Sequence, residues 1–189
     1  MFQEKLKTQG WLDLFTNTQR GCSIPKLAKF YANCMVTNGM VTSTIGGHRT
    51  RFDATDLGNM LGVTSDGFDV YVREDKNVLG EERLLERTCN LAQNLQLTKS
   101  RSVRKGEMIP LHRLLFWFII KNVIPRGQGR DLADHVDMCL TDLLDQGEKI
   151  NSPTIMISHI GRITNMSKDH DMGYGLLLTS VFEQLGIPL

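Results

Sequence analysis

Acidic side chains are concentrated between residues 131 and 145, so metal-dependent chemistry would be sought there first. The segment contains five aspartates: Asp131, Asp134, Asp137, Asp142 and Asp145. Carboxylates hold the divalent ions that a nucleic-acid recombinase needs. However, the segment also carries a leucine stripe, which predicts an amphipathic helix with the acids on its opposite face. We therefore predict that these acids form a solvated face, and we expect no bound metal and no cofactor.

Histidines and cysteines, the other residues that ligate metals or act as nucleophiles, are scattered. His112, His135 and His159 have no second histidine at a spacing of three or four, and the consecutive side chains of 169–171 (Asp-His-Asp) diverge. The four cysteines form no CxxC pair, which indicates reduced thiols and an intracellular protein, nuclear or cytoplasmic. The sequence has no nucleophile elbow, phosphate-binding loop or HExxH motif. These patterns predict a protein that is not an enzyme.

Two basic segments could contact nucleic acid. The net charge is +1, so any such contact must come from a local patch rather than from the field of the whole molecule. The candidate residues are Arg49, Arg51, Lys99, Arg101, Arg104 and Lys105, and Arg126 and Arg130 could extend either segment. Neither segment is interleaved with aromatic residues, so stacking on bases is not indicated.

Helical periodicity accounts for most of the chain. Apolar residues recur at spacings of three and four, and Gly, Pro or a capping residue marks the ends. After two short helices separated by Gly10, the predicted helices are 24–36, 81–96, 110–123, 131–146, one beginning at Ser152, and 175–185. A turn is expected at 166–171. We therefore predict a mainly α fold in a single domain spanning residues 1–189, with a hinge at 98–107. The apolar pattern already begins at Phe2, as expected for a chain cut from a longer protein.

One β-hairpin is predicted at about residues 41–52. Val41–Ile45 is rich in β-branched residues, the Gly46-Gly47 pair allows a two-residue turn, and His48–Phe52 returns. Asp53 should cap a short helix that Gly62 ends. A brief strand at 70–72 is also consistent with the sequence.

The segment from Pro110 to Val123 is apolar on nearly every side, which predicts a helix surrounded by neighbours. Leu114, Trp117 and Phe118 should therefore be buried. Trp11 could either cap the core or anchor a partner. The longest unbroken apolar run, 114–120, is far too short to cross a bilayer.

Several segments together resemble a known family. In order they are Gly10-Trp11, the FYAN of 30–33, the hairpin and following helix through Leu61-Gly62-Val63, the block 111–125, and the closing block from 149 to 187. This arrangement resembles the plant transposon protein domain and shares less with the plant mobile domain. The matching positions are mainly apolar residues, Gly, Pro and Asn, which are typical of a fold signature.

The resemblance implies a helical domain from a reading frame of transposon origin, with no catalytic residue to carry over. We predict a non-enzymatic module for protein interaction, self-association or both, without membrane contact. The alternative is a nucleic-acid-binding domain that uses the basic residues named above.

Overall fold

The computed structural model describes residues 2–16, 21–69, 81–165 and 172–188. Within these residues the helices are α1 (Phe2–Thr8), α2 (Trp11–Thr16), α3 (Ile24–Ala32), α4 (Ala54–Leu61), α5 (Glu81–Ala92), α6 (Pro110–Phe118), α7 (His135–Gln146), α8 (Ser152–Asn165) and α9 (Gly175–Gln184). The strands are β1 (Met35–Thr37), β2 (Met40–Ile45), β3 (His48–Phe52), β4 (Val103–Arg104) and β5 (Leu132–Ala133). The mainly α fold is confirmed. In the described part, no helix has the length and apolar character needed to cross a membrane.

The predicted hairpin is present and belongs to a three-stranded antiparallel sheet. Strand β2 pairs with β3 through Ile45 and His48, and the turn places Gly46 and Gly47 at φ of 57° and 88°. These positive φ values are readily adopted by glycine, so the residue pair determines where the chain reverses. On its other side β2 pairs with β1.

Strand β1 corrects the prediction that the first long helix continues to Val36. Helix α3 ends at Ala32, and Met35 and Val36 lie on β1 instead. The Asn33 side chain explains the ending, because its Nδ2 donates to the carbonyls of Lys29 and Thr44. It thereby ties the last turn of the helix to β2, and the chain leaves as a strand.

Three clusters of buried side chains form the core, and α6 lies between two of them. Leu115 and Phe118 pack with α1, α2 and α7, whereas Phe116 and Ile120 pack with α5, β4 and β5. The third cluster joins α3, the β1–β3 sheet, α4, α8 and α9.

The burial predicted for α6 is correct for Phe118 and wrong for Leu114 and Trp117. Phe118 is 7% exposed, but Leu114 is 42% exposed and Trp117 is 46% exposed. Neighbours cover two sides of the helix, and the third side faces outward. The apolar composition of a helix does not reveal where its neighbours stop, and that is why the prediction failed.

Two further leucines are outside the helices in which they were expected. Leu95, expected in the fifth helix, follows the end of α5 at Ala92 and is 83% exposed. Leu132 lies on β5 and is half-exposed, because α7 begins only at His135. Asp134 determines that start, since its carboxylate accepts from the backbone N–H groups of residues 136 and 137.

Most other predicted boundaries are confirmed. Asp53 caps α4 in a reciprocal capping box with Asp56, and Gly62 ends that helix with a φ of 68°. Gly147 ends α7 in the same way. The strand predicted at 70–72 and the turn at 166–171 lie outside the described residues. The segment 98–107 contains β4, which pairs with β5; its role as a hinge remains a prediction, as does the single domain.

Candidate interaction surface

The acids of 131–145 do not form the solvated face that their spacing predicted. Asp131 and Asp134 are exposed, but Asp137 is only 1% exposed. Asp142 accepts from Arg87 Nε at 2.6 Å, and Asp145 lies 3.1 Å from Lys5 Nζ. Helices α1 and α5 pack against α7 and bring these bases to it. The prediction was therefore wrong for Asp137, and two other acids form cross-helix ion pairs.

Asp137 is the centre of a buried polar cluster. Arg126 Nη2 lies 2.7 Å from its Oδ2, and the Asp134 backbone N–H donates to the same oxygen at 2.9 Å. Burial, followed by the nearby Asp134 carboxylate, raises the pKa of Asp137 to about 7, and Arg126 opposes the rise. Arg126 is therefore held by α7 and does not extend a basic surface patch.

Two histidines and two thiols of the described residues take structural positions. His112 Nε2 lies 3.2 Å from Asp145 Oδ2, and His159 Nδ1 lies 2.9 Å from the Tyr174 hydroxyl. Both histidines are buried. Burial raises the pKa of Cys34 to about 12 and that of Cys139 to about 11, which keeps both thiols protonated at neutral pH.

Within the described ranges, no three His, Cys, Asp or Glu side chains are close enough together to hold a metal ion. The Asp-His-Asp triplet at 169–171 lies outside these ranges.

Two of the candidate nucleic-acid contacts share one face of the three-stranded sheet. Arg49 pairs with Thr44 and Arg51 pairs with Thr42, and all four side chains face away from the core side occupied by Val41 and Ile45. Arg49, Arg51 and Thr42 line a hollow of about 770 Å³. Neither arginine has an ion-pair partner among the residues that the structure describes.

The other four candidates lie elsewhere. Arg101 forms a two-point ion pair with Glu107, with Nη–Oε distances of 2.5 and 3.1 Å. Arg104 and Lys105 line a separate hollow of about 430 Å³ beside the β4–β5 pair, and Lys99 is exposed before it. Four of the six basic residues therefore line two hollows on two sheets, and the six do not form one continuous patch.

The outward side of α6 is a surface that sequence reasoning missed. Leu114 and Trp117 are nearly half-exposed and lie one turn apart, and exposed basic residues, Arg113 and Lys121, lie four residues to either side of Trp117. The spacing 113–117–121 contained a signal, because two charges that each lie four residues from Trp117 mark an outward stripe. We call the residues Arg113, Leu114, Trp117 and Lys121 the α6 stripe.

Lys121, the last residue of the α6 stripe, lines a cleft. Helix α6 continues as a wide π-helical turn, Ile119–Val123, which carries Lys121 to the cleft wall. Such turns are frequent at functional sites. The cleft has a volume of about 890 Å³, and its apolar lining comes from Leu14, Phe15, Met60, Leu61, Leu176 and Leu177. Leu176 is 43% exposed.

Comparison with known families matches residues 7–188 to the family described as "Putative plant retrotransposon-related domain". The match covers nearly the whole chain and agrees with the resemblance carried by the ordered segments from Gly10 to Ile187. Comparison with curated proteins and with solved structures finds no match.

Proposed function

Because this chain belongs to the plant retrotransposon-related domain family, we propose that it is a non-enzymatic module through which a transposon-derived protein binds other proteins or itself. Family membership supports the transposon origin. The interaction role is our inference from the surface of the molecule.

The observation that carries the proposal is the exposure of Trp117 on the α6 stripe. Tryptophan is enriched among the residues that dominate binding energy at protein interfaces, because it buries a large rigid surface at little entropic cost. Trp117 is 46% exposed and lies one turn from the exposed Leu114, and Lys121, four residues further along the chain, lines the cleft. An apolar surface of this kind beside a concave cleft is typical of a protein-binding site.

A non-enzymatic role is supported by the state of the groups that could act in catalysis. His112 and His159 each lie against another polar side chain, and Cys34 and Cys139 have pKa values far above neutrality. Such side chains hold elements together and are poorly placed to transfer protons or attack a substrate.

Replacing Leu114 and Trp117 with serine should abolish binding and leave stability nearly unchanged. Loss of an interface tryptophan costs about 2 kcal/mol or more of binding energy, which is more than about tenfold in affinity. Exposed side chains contribute little to folding, so the free energy of unfolding should change by less than about 1 kcal/mol. Light scattering after gel filtration, pull-down and urea denaturation measure these quantities.

Leu95→Ser is the matched control, since Leu95 is the most exposed of the large apolar side chains that the structure describes, and it lies outside the α6 stripe. It should keep both the oligomeric state and the captured proteins of the unmodified chain. If the double variant keeps them as well, the α6 stripe is not the interaction surface.

A second candidate function, nucleic-acid binding, is favoured by the paired orientation of Arg49 and Arg51 on one sheet face. Two unpaired guanidinium groups beside the Thr42 and Thr44 hydroxyls can contact phosphates. They can neutralise few phosphates, and affinity that rests on counterion release falls steeply with salt. This arrangement favours weak binding without sequence preference.

Binding to a random oligonucleotide pool should therefore be weak at about 50 mM salt and lost at about 150 mM. Arg49→Ser/Arg51→Ser is compared with Arg104→Ser/Lys105→Ser, which removes the same charge from the other hollow. Sub-micromolar affinity that survives the higher salt and disappears in the first variant would make nucleic-acid binding the better assignment.

A further inference from the structure

The cleft and the α6 stripe differ from an ordinary apolar groove in the placement of charge. Arg113 and Lys121 flank Trp117 on either side along the helix. The Arg113 guanidinium donates to the carbonyls of residues 105 and 108, which hold its charge in place. Lys121 is exposed, and in the described part its ammonium group has no ion-pair partner. Asp13, on the α2 wall, is the one carboxylate among the described residues that line the cleft.

The walls of the cleft determine which kind of backbone can dock there. The described residues that line it belong to α2, α4, α9, the π-helical turn and the ends of these helices, and none of these residues lies on a strand. An extended peptide therefore finds no free row of strand N–H and C=O groups to pair with, whereas the apolar side of a helix can insert side chains between the walls. Such an insertion is suited to the apolar residues of the cleft and of the α6 stripe, which are Leu14, Phe15 and Leu176 in the cleft and Trp117 on the stripe.

Charge also decides between a second copy and a different protein. In a two-fold contact centred on the α6 stripe, the stripe of one copy faces that of the other. Arg113 and Lys121 would then approach the same two cations, which is unfavourable at a desolvated interface. A helix that carries carboxylates beside its apolar stripe meets no such repulsion.

From these observations we infer that the cleft and the α6 stripe bind an amphipathic helix of another protein, with acidic residues flanking its apolar side. The inference rests on the proposed interaction function and specifies the partner's chemistry. The apolar residues of the partner enter the cleft against Trp117, and its carboxylates pair with Arg113 and Lys121. Rim charges of this kind speed association and select the partner, so the binding is sensitive to salt.

The test uses two fluorescein-labelled helical peptides of about 16 residues, long enough for four turns, with the same leucines at i, i+3, i+4 and i+7. One peptide carries glutamate on both sides of the leucine stripe, and the other carries lysine at the same positions. Fluorescence anisotropy with the full chain should show the glutamate peptide binding at least about tenfold more tightly. Trp117→Ser should abolish the binding of the glutamate peptide.

Charge reversal provides the matched comparison. Arg113→Glu/Lys121→Glu should invert the peptide preference, whereas Arg49→Glu/Arg51→Glu, with the same change in net charge on the sheet, should leave it in place. Lys121→Glu alone, which breaks no contact within the described residues, should reduce the preference if the double variant does not fold. Equal affinity for the two peptides, tighter binding of the lysine peptide, or no binding of either would overturn the inference.

Different experimental results would contradict this inference and the proposed function. If Leu114→Ser/Trp117→Ser abolishes self-association or capture of a partner while the peptides are not discriminated, the α6 stripe is an interface for a different partner. If this double variant changes neither self-association nor the capture of a partner, the proposed interaction function fails as well. If the chain forms a dimer and Trp117→Ser dissociates it, the inference that the partner is a different protein is contradicted, and the proposed interaction function stands.

Discussion

Replacing Trp11 with alanine is expected to lower the free energy of unfolding by about 3–5 kcal/mol, the cost of truncating a core aromatic. Trp11 is 1% exposed, and its ring stacks on Phe118 with centroids 6.0 Å apart. Its indole Nε1–H donates to Ser152 Oγ at 3.2 Å, which links α2 to α8. The substitution therefore opens a cavity between α2 and α6 and leaves the Ser152 hydroxyl without this donor.

Trp117→Ala is the control for this prediction, because the same change is made at an exposed site. It should lower the free energy of unfolding by less than about 1 kcal/mol. Urea denaturation followed by circular dichroism measures the free energy of unfolding of both variants. Trp11→Phe should lower it by less than Trp11→Ala does. Equal costs at the two tryptophans would contradict the burial described for α2 and α6.

Arg126→Met is expected to destabilise the protein by about 3–5 kcal/mol at about pH 8, the typical cost of leaving one partner of a buried ion pair without the other. Asp137 is almost fully buried, and Arg126 provides its neutralising charge at 2.7 Å. Asp137→Asn/Arg126→Met should recover much of the loss, since it removes the isolated charge as well.

The cost of Arg126→Met should depend on pH. The folded-state pKa of Asp137, about 7, lies above its ordinary value of 3.8, so the folded state binds more protons across this window. The contribution of this carboxyl to stability is therefore largest below the ordinary pKa and declines as pH rises through the folded value. Without Arg126 the pKa rises further, and the deficit should be smaller at about pH 5 than at about pH 8. Denaturation at both pH values measures it, and a deficit that does not change with pH would contradict a buried, titrating Asp137.

Local signals in the sequence were enough to predict the features that depend on a few neighbouring residues. Gly46-Gly47 determined the hairpin turn because both positions require positive φ. Helix ends were marked by Asp53, Gly62 and Gly147. A capping side chain and a terminal glycine in the left-handed conformation both act through hydrogen bonds within one turn of the helix, so they can be recognised locally. The order of short apolar, Gly and Pro segments was likewise sufficient for the family.

Tertiary structure alone decided which sides of the helices face neighbours. The periodicity of α6 and α7 showed that both are helices, but it could not show that α6 is uncovered at Trp117 or that Asp137 lies against Arg126. The end of α3 at Ala32 likewise depends on a hydrogen bond from Asn33 to Thr44, which lies on another element. Burial and ion pairing are properties of contacts between distant segments, so a pattern within one segment does not contain them. For this reason the helices were predictable from sequence. The charges four residues to either side of Trp117 were a signal of the outward side of α6, but only the folded chain established that this side is uncovered.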